Sequence, residues 1–349
     1  VSIAGLNHKM GYRGTTNTLL NFGEGNFTPG GLPGAKAFLV GEPHKGLDYM
    51  FHMMNEARIG VGLGAAALGY TDYLHALDYA RTRLQGRLPT AKDPQSPQVP
   101  IIEHADVKRM LLSQKAYVEG ALALNLYCAR LVDDEKTGID VERRHATLLL
   151  DMLTPIAKSW PSQWCLEANN LAIQVHGGYG YTRDYNVEQF YRDNRLNPIH
   201  EGTHGIQGLD LLGRKVRMQG GAGLRLLIDT VRKTIVAAEK NSDCVDPARD
   251  LEQSLQRLAA VTVRLYSAAD IETTLANSST YLEVTGHIVI AWIWLEQMLV
   301  AAGKDEDFYQ GKMQAGRFFF KWELPKVAAM LDLLNSLDTT TIAMKDTWF

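Results

Sequence analysis

Three short features hold residue types that could do chemistry. His200-Glu201-Gly202-Thr203-His204 spells HExxH, the pattern in which two imidazoles one helical turn apart hold zinc and the glutamate acts as general base. Gly60-Val61-Gly62-Leu63-Gly64-Ala65 nearly matches GxGxxG/A, where glycines between a strand and a helix aim the helix N-terminus at a pyrophosphate. The third feature is Glu201 taken alone, a carboxylate just outside an apparent helix start at Thr203. Burial raises the pKa of such a group and a helix dipole lowers it, a tension that a general base working near neutral pH uses. The plain alternative is a helix-flanking glutamate with no chemistry.

Each reading depends on the element beneath it. HExxH needs a continuous helix, yet Pro198 precedes it, Gly202-Thr203 lie inside it, and Gln207 stands where the longer zinc form has glycine. A chance match to the zinc motif is the expectation. Tyr49 to Ile59 reads as helix rather than strand, so Gly60 to Ala65 reads as small residues for close helix packing and not as a dinucleotide loop.

Residues 1–43 differ from the rest. Val1-Ser2-Ile3, Thr18 to Phe22 and Ala37 to Val40 are strand-like runs punctuated by glycines. Three strands cannot bury two faces unaided, so they read as part of a sheet. From His44 the period becomes helical, with Leu47, Met50, Phe51, Met54, Ile59 and Leu63, then Leu74, Leu77 and Ala80. Pro89, Pro94, Pro97 and Pro100 mark a loop. Helices are expected over Ala105 to Val132, Glu142 to Met152, Pro161 to Val175 and Thr203 to Met218, with a break at Gly177, Gly178 and Gly180. After Gly220-Gly221 an antiparallel helical unit runs from Leu224 to Leu334, divided near Cys244 to Pro247, Asn277 to Ser279 and Gly303 to Asp307.

The chain has 349 residues, 46% hydrophobic and 21% charged, with a net charge of −3. It can bury a large core and carries no basic footprint for nucleic acid. Cys128, Cys165 and Cys244 are scattered and odd in number, which argues for free thiols in a reducing compartment. Tyr281 to Ala302 is interrupted by Glu283, His287 and Glu296 and does not read as a membrane span. The start at Val1, without Met, suggests a processed chain or a piece of a larger one.

Gln174-Val175-His176-Gly177-Gly178-Tyr179-Gly180, Tyr191-Arg192-Asp193 and Ile199-His200-Glu201-Gly202-Thr203 with Ile206-Gln207 together resemble the C-terminal signature of acyl-CoA dehydrogenases: QxxGGxG, RD, then IYEGTxxIQ. Upstream, Lys9-Met10-Gly11-Tyr12-Arg13-Gly14 is similar to the family's KxGxRGS region, and Val40 to Gly46 with Arg58 to its junction into the helical domain. The likeness covers roughly residues 1–217, and the last helices resemble the extension of long members. Asn197-Pro198-Ile199-His200-Glu201-Gly202-Thr203-His204-Gly205 and the Trp348-Phe349 ending look most like the 3-methylmercaptopropionyl-CoA dehydrogenase type.

The resemblance implies a mainly α chain with three parts. Residues 1–43 would end a β domain, 44–219 would form the four-helix bundle that binds FAD, and 220–349 a helical extension. It implies α,β-dehydrogenation of an acyl-CoA thioester, with Glu201 as the base and electrons passed to an electron-transfer flavoprotein. Arg83, Gln174, Gly177, Gly178, Thr203 and Gly205 fall where the family touches FAD, and Arg58 and Gly202 where it meets substrate. FAD contacts from two subunits imply a homodimer, and the expected location is cytoplasmic. Relatives with the base on another helix carry it just before the position of Arg58, here Ala57, which favours Glu201. The phenylalanine of RxxFG is absent after Arg83, and EHQ becomes Glu103-His104-Ala105, so FAD contacts there depart from the pattern. The alternatives are an acyl-CoA oxidase of the same fold, a DNA-binding flavoprotein, disfavoured by the balanced charge of Leu224 to Phe349, and the HExxH metalloprotease.

Overall fold

A computed structural model describes the whole chain apart from Asn26, Phe27, Lys92, Pro94 and Ala269, and apart from the side chains of Pro29, Asp48, Phe51, His52 and Ala268. The expected loop proline Pro94 and the apolar side chain of Phe51 therefore lie outside the described residues.

The N-terminal segment forms one antiparallel hairpin, β1 (Ser2–Leu6) on β2 (Thr18–Asn21), pairing Ser2 with Asn21 and Leu6 with Thr18 across an irregularity between Ile3 and Gly5. Ala37 to Val40 is not the third strand that its residue types suggest. A strand needs a neighbour for its N–H and C=O groups, and no strand among the described residues pairs with it. Ile3, Leu20, Phe22, Phe38 and Val40 are exposed, so this segment presents an apolar face that the rest of the chain does not cover.

Three long helices build the central bundle: α1 (Gly46–Thr82), α2 (Ala105–Thr137) and α3 (Asp140–His176). Only part of the apolar stripe expected from spacing is buried on α1. Ile59 and Ala80 are buried as expected, whereas Leu47, Met50, Leu63 and Leu74 are exposed and Arg58, Ala65, Ala66, Asp72 and Ala76 are buried. Where α3 lies closest, small residues take the place of large ones. A Cβ on Gly62 would sit 1.9 Å from the carbonyl oxygen of Ala157, and one on Gly69 would sit 2.8 Å from Cys165 Cβ. The near-GxGxxG run is thus helix-packing surface.

The two helices expected over 142–152 and 161–175 are one, α3, which passes through Pro155 and Pro161. Proline removes the bond to the carbonyl four residues back. For Pro161 that carbonyl belongs to Ala157, the one against which Gly62 packs. Next door, the Ser162 hydroxyl donates to the Lys158 carbonyl at 2.5 Å. Tertiary contacts around the freed groups let the helix continue.

A short helix that spacing did not reveal, α4 (Val187–Asn194), leads into a turn-rich segment and α5 (His204–Leu209). The chain stays helical but winds more widely over Asp210–Lys215, so the single helix expected over 203–218 forms with one wide stretch inside it. Gln219, Gly220 and Gly221 all have positive φ, which turns the chain into α6 (Met218–Ala238). There follow α7 (Val245–Ala268), α8 (Ile271–Leu275), α9 (Ser278–Ala301), α10 (Asp307–Phe318), α11 (Val327–Asn335) and α12 (Thr340–Ala343).

Helix α9 is long and apolar enough to cross a bilayer despite Glu283, His287 and Glu296, and 78% of its apolar window is buried within the chain. It forms the axis of the C-terminal helices. Trp294 Nε1 donates to the Ala116 carbonyl of α2 at 3.1 Å, and Trp292 Nε1 to Thr234 of α6 at 2.8 Å. Gly286 lies against Trp160 of α3. One continuous apolar core joins the bundle to these helices.

The Gly62 contact predicts a contrast within one motif. Gly62→Ala should destabilise the chain by about 1–3 kcal/mol through overpacking. Gly60→Ala, with nothing within 4 Å of the new Cβ, should be neutral or stabilise by up to about 1 kcal/mol. Urea denaturation of the two variants checks this, and equal effects would refute the packing account.

Candidate active site

Glu201 lies in the turns between α4 and α5. Its backbone is left-handed, φ 54°, and Gly202 follows at φ 95°. A non-glycine residue there carries strain of about 1–3 kcal/mol and persists only when its surroundings over-determine it. Three side-chain hydrogen bonds do so. Gln207 Nε2 donates to the Glu201 carbonyl at 3.0 Å. Lys158 Nζ, from α3, donates to the carbonyls of Asn197 at 2.8 Å and Gly202 at 2.6 Å. Gly202 is required twice, since a Cβ there would also meet Gln207 Nε2 at 2.7 Å. Thr203 then caps α5, its hydroxyl accepting from Ile206 N–H at 3.5 Å.

A ladder of amides ties this segment to the bundle. Asn197 donates to Asn194, Asn194 to Asn169 and to the Ala65 carbonyl, and Asn169 to Asp72 and to the Leu68 carbonyl, at 2.6–3.2 Å. Asp72 is fully buried, and burial pushes its carboxyl up to about 8 against the opposing hydrogen bond from Asn169.

Lys158 is also fully buried. Burial first, then the charge of Arg58, pulls its ammonium down to about 8, with Glu201 acting the other way. Arg58 is buried and paired with Asp210 at 2.7 Å, so its guanidinium is committed to a protein carboxylate. His200 Nε2 lies 3.5 Å from Glu201 Oε1. Glu56, the neighbour of Ala57, is exposed and paired with Lys136 at 2.8 Å.

HExxH has no continuous helix here. His200 lies in the turn and His204 begins α5, on either side of the left-handed pair. His204 lines a cavity of about 210 Å³ with Trp160, Trp164 and Glu283. Burial, then the charges of Lys158 and Arg195, lowers it to about 4.

A second group of expected residues gathers elsewhere. Arg83, at the end of α1, shares a cleft of about 310 Å³ with Gln174 and Gly177 at the end of α3, together with His104 and Gly86. The Arg83 guanidinium lies 5.6 Å from the Tyr179 ring centre and makes no ion pair among the described residues. Gly177 has φ 60°, and the space beside Gly177, Gly178 and Gly205 is open or nearly so. His104 Nε2 is 2.8 Å from the Gln85 carbonyl oxygen. Gln174 is sixteen residues from Lys158 on α3, about 24 Å of helix. Arg83, Gln174, Gly177 and Gly178 thus form one set, and Arg58, Glu201, Gly202, Thr203 and Gly205 another.

Sequence reasoning missed Lys158 and the asparagine ladder. A lysine within an apolar helical run was the available signal for the first, since lysine is almost never fully buried without a partner.

The helical bundle, with a glutamate on a strained turn and an open basic cleft, defines a class. Residues 44–216 match the family described as acyl-CoA dehydrogenase, C-terminal domain, and residues 227–345 match the acetyl-CoA dehydrogenase C-terminal like family. The chain belongs to the acyl-CoA dehydrogenase family. Among curated relatives it is 34% identical to the 3-methylmercaptopropionyl-CoA dehydrogenase of Ruegeria pomeroyi over 93% of this chain and 54% of that one. It is 31% identical to the broad-specificity linear acyl-CoA dehydrogenase of Mycobacterium tuberculosis over 100% of this chain and 59% of that one. The chain thus spans little more than half the length of these relatives. The same fold occurs in the acyl-CoA dehydrogenase of Bacillus anthracis complexed with FAD, at TM-score 0.75 and 17% identity over 98% of this chain and 58% of that one.

The raised carboxyl of Asp72 makes a signed prediction. The folded chain holds a proton that the unfolded chain releases near pH 4, so the stability contributed is full below that value and is lost as pH rises through about 8. Asp72→Asn should therefore lose less thermal stability than the wild type between about pH 6 and pH 9. Parallel melting curves across that range would contradict it.

Proposed function

We propose that the protein catalyses FAD-dependent α,β-dehydrogenation of an acyl-CoA thioester, with Glu201 as the base. The observation that carries this reading is the turn at Glu201. Its carboxylate stands on a strained backbone whose carbonyl is held by Gln207, and its own N–H makes no hydrogen bond among the described residues. One residue can therefore present a base and a free backbone donor side by side.

A thioester α-carbon is a poor acid, and proton removal needs both. The Glu201 carboxylate takes the α-proton, and its N–H donates to the thioester carbonyl as charge develops on that oxygen. A positioned base supplies about 10²–10⁴-fold. When bound, FAD supplies the acceptor for the hydride from the β-carbon. The chain's residues fit that group: Arg83, without an ion pair among the described residues, offers its cation to a phosphate, and Gly177 and Gly178 leave their backbone open to close approach. Thr203 and Gly205 stand at the start of α5, beside the base.

The relatives' names share an acyl-CoA substrate, and this supports the class without choosing a chain length. We extend the reading to a homodimer, supported by the separation of the Arg83 cleft from the base along α3, with the cleft serving the partner's FAD. We further propose that electrons pass to an electron-transfer flavoprotein and that the setting is cytoplasmic, the second supported by three free, buried cysteines.

Anaerobic addition of acyl-CoAs to the FAD-loaded enzyme should bleach the flavin, with slow reoxidation in air. Rapid reoxidation would favour an oxidase, and no bleaching with any acyl-CoA would overturn the proposal. Glu201→Gln should keep FAD and lose turnover by at least about 10²-fold. Retained turnover in that variant would remove Glu201 from the role.

A further inference from the structure

Lys158 places a charge in the interior where none is needed for packing. It is 0% exposed, and among the described residues it forms no ion pair. Its hydrogen bonds go to two backbone carbonyls, those of Asn197 and Gly202. Removing a cation from water without a carboxylate partner is unfavourable, and an apolar side chain of similar volume commonly gives a fold of equal or greater stability. Stability alone does not account for this lysine.

Its geometry does. The two carbonyls bracket residues 198–201, so one ammonium closes both ends of the segment that carries Glu201. Gln207 holds the Glu201 carbonyl between them. Lys158 is the cation that hydrogen-bonds the turn directly. Arg58 of α1 is held by Asp210, which it shares with Arg214. His200 lies beside Glu201 on the solvent side, half-exposed. His204 of α5, lowered to about 4 by burial and then by the charges of Lys158 and Arg195, is uncharged near pH 7.

We propose that Lys158 is a positioning residue for the candidate base, holding the strained turn by both carbonyls and keeping a positive charge beneath the Glu201 carboxylate. The inference rests on the reading of Glu201 as base. Neutral lysine still has two N–H donors, so the two hydrogen bonds can outlast the charge. This separates the mechanical part of the role from the electrostatic part.

The test uses the FAD-loaded enzyme and the variants Lys158→Met, Lys158→Gln and Lys158→Arg. Lys158→Met should retain FAD and the KM for acyl-CoA within about threefold while kcat falls roughly 100-fold, the usual size for a small misplacement of a reacting group. The acid limb of its kcat–pH profile should move to higher pH, because a cation favouring the carboxylate form has gone. Amide exchange across residues 198–203 should be faster than in the wild type, a readout independent of turnover. Lys158→Arg should recover more kcat than Lys158→Gln. If Lys158→Met does not fold, the Arg-to-Gln comparison decides alone, and equal wild-type kcat in those two variants overturns the role. Wild-type kcat, acid limb and exchange in a folded Lys158→Met would overturn it as well. A wild-type enzyme that never bleaches refutes the dehydrogenase reading, and the exchange measurement still decides for or against Lys158.

Discussion

The approach of α1 to α3 at Gly62 sets the frame for everything around the candidate site. The glycine lies against the carbonyl of Ala157, with no room for a methyl group. Arg58 is one helical turn before that contact and Lys158 is the residue after Ala157. A wider spacing would move Arg58 away from Lys158 and draw the Ala65 carbonyl of α1 from Asn194. Pro161 belongs to the same arrangement, because it frees the Ala157 carbonyl from the helix ladder at the point where the neighbouring helix has only a glycine.

From that frame a rigid, polar interior is built toward one turn. The asparagines at 169, 194 and 197 pass hydrogen bonds from α1 and α3 to the segment before Glu201. Buried polar groups are tolerable when each finds a partner, and here the partners lead in one direction, to a left-handed glutamate. Strain held in this way is a recurrent property of functional turns. The segment is fixed from beneath by Lys158 and from α5 by Gln207, which leaves the carboxylate and its N–H to face outward.

The C-terminal helices stiffen this frame from behind. Trp294 and Trp292 of α9 each bury an indole and satisfy its N–H on α2 and α6, and Gly286 admits Trp160 of α3. The elements that carry Lys158 and the elements of the extension therefore share a core. The N-terminal hairpin is the opposite case. Its apolar side chains and those of Phe38 and Val40 face solvent, and the outward apolar residues of α1, among them Leu47 and Met50, do the same.

The order of residues alone determined the family, because the spacing from Gln174 to Gln207 is a linear pattern, and it placed Glu201 outside a helix through Pro198 and Gly202. It also identified most of the helical stretches, though not α4, since their apolar period is local. It determined only part of the buried face of α1, Ile59 and Ala80 among it, because spacing counts large apolar residues and the close approach to α3 selects small ones. The union of two expected helices into α3 was equally hidden, since proline ends a helix unless neighbours receive the freed carbonyls. Lys158 was the largest omission. Its apolar neighbours hint at burial, but nothing local shows that its ammonium meets two carbonyls about forty residues away. Only the tertiary structure decides that, because the hydrogen bonds that make burial of that charge possible do not exist until α3 and the Glu201 turn are packed together.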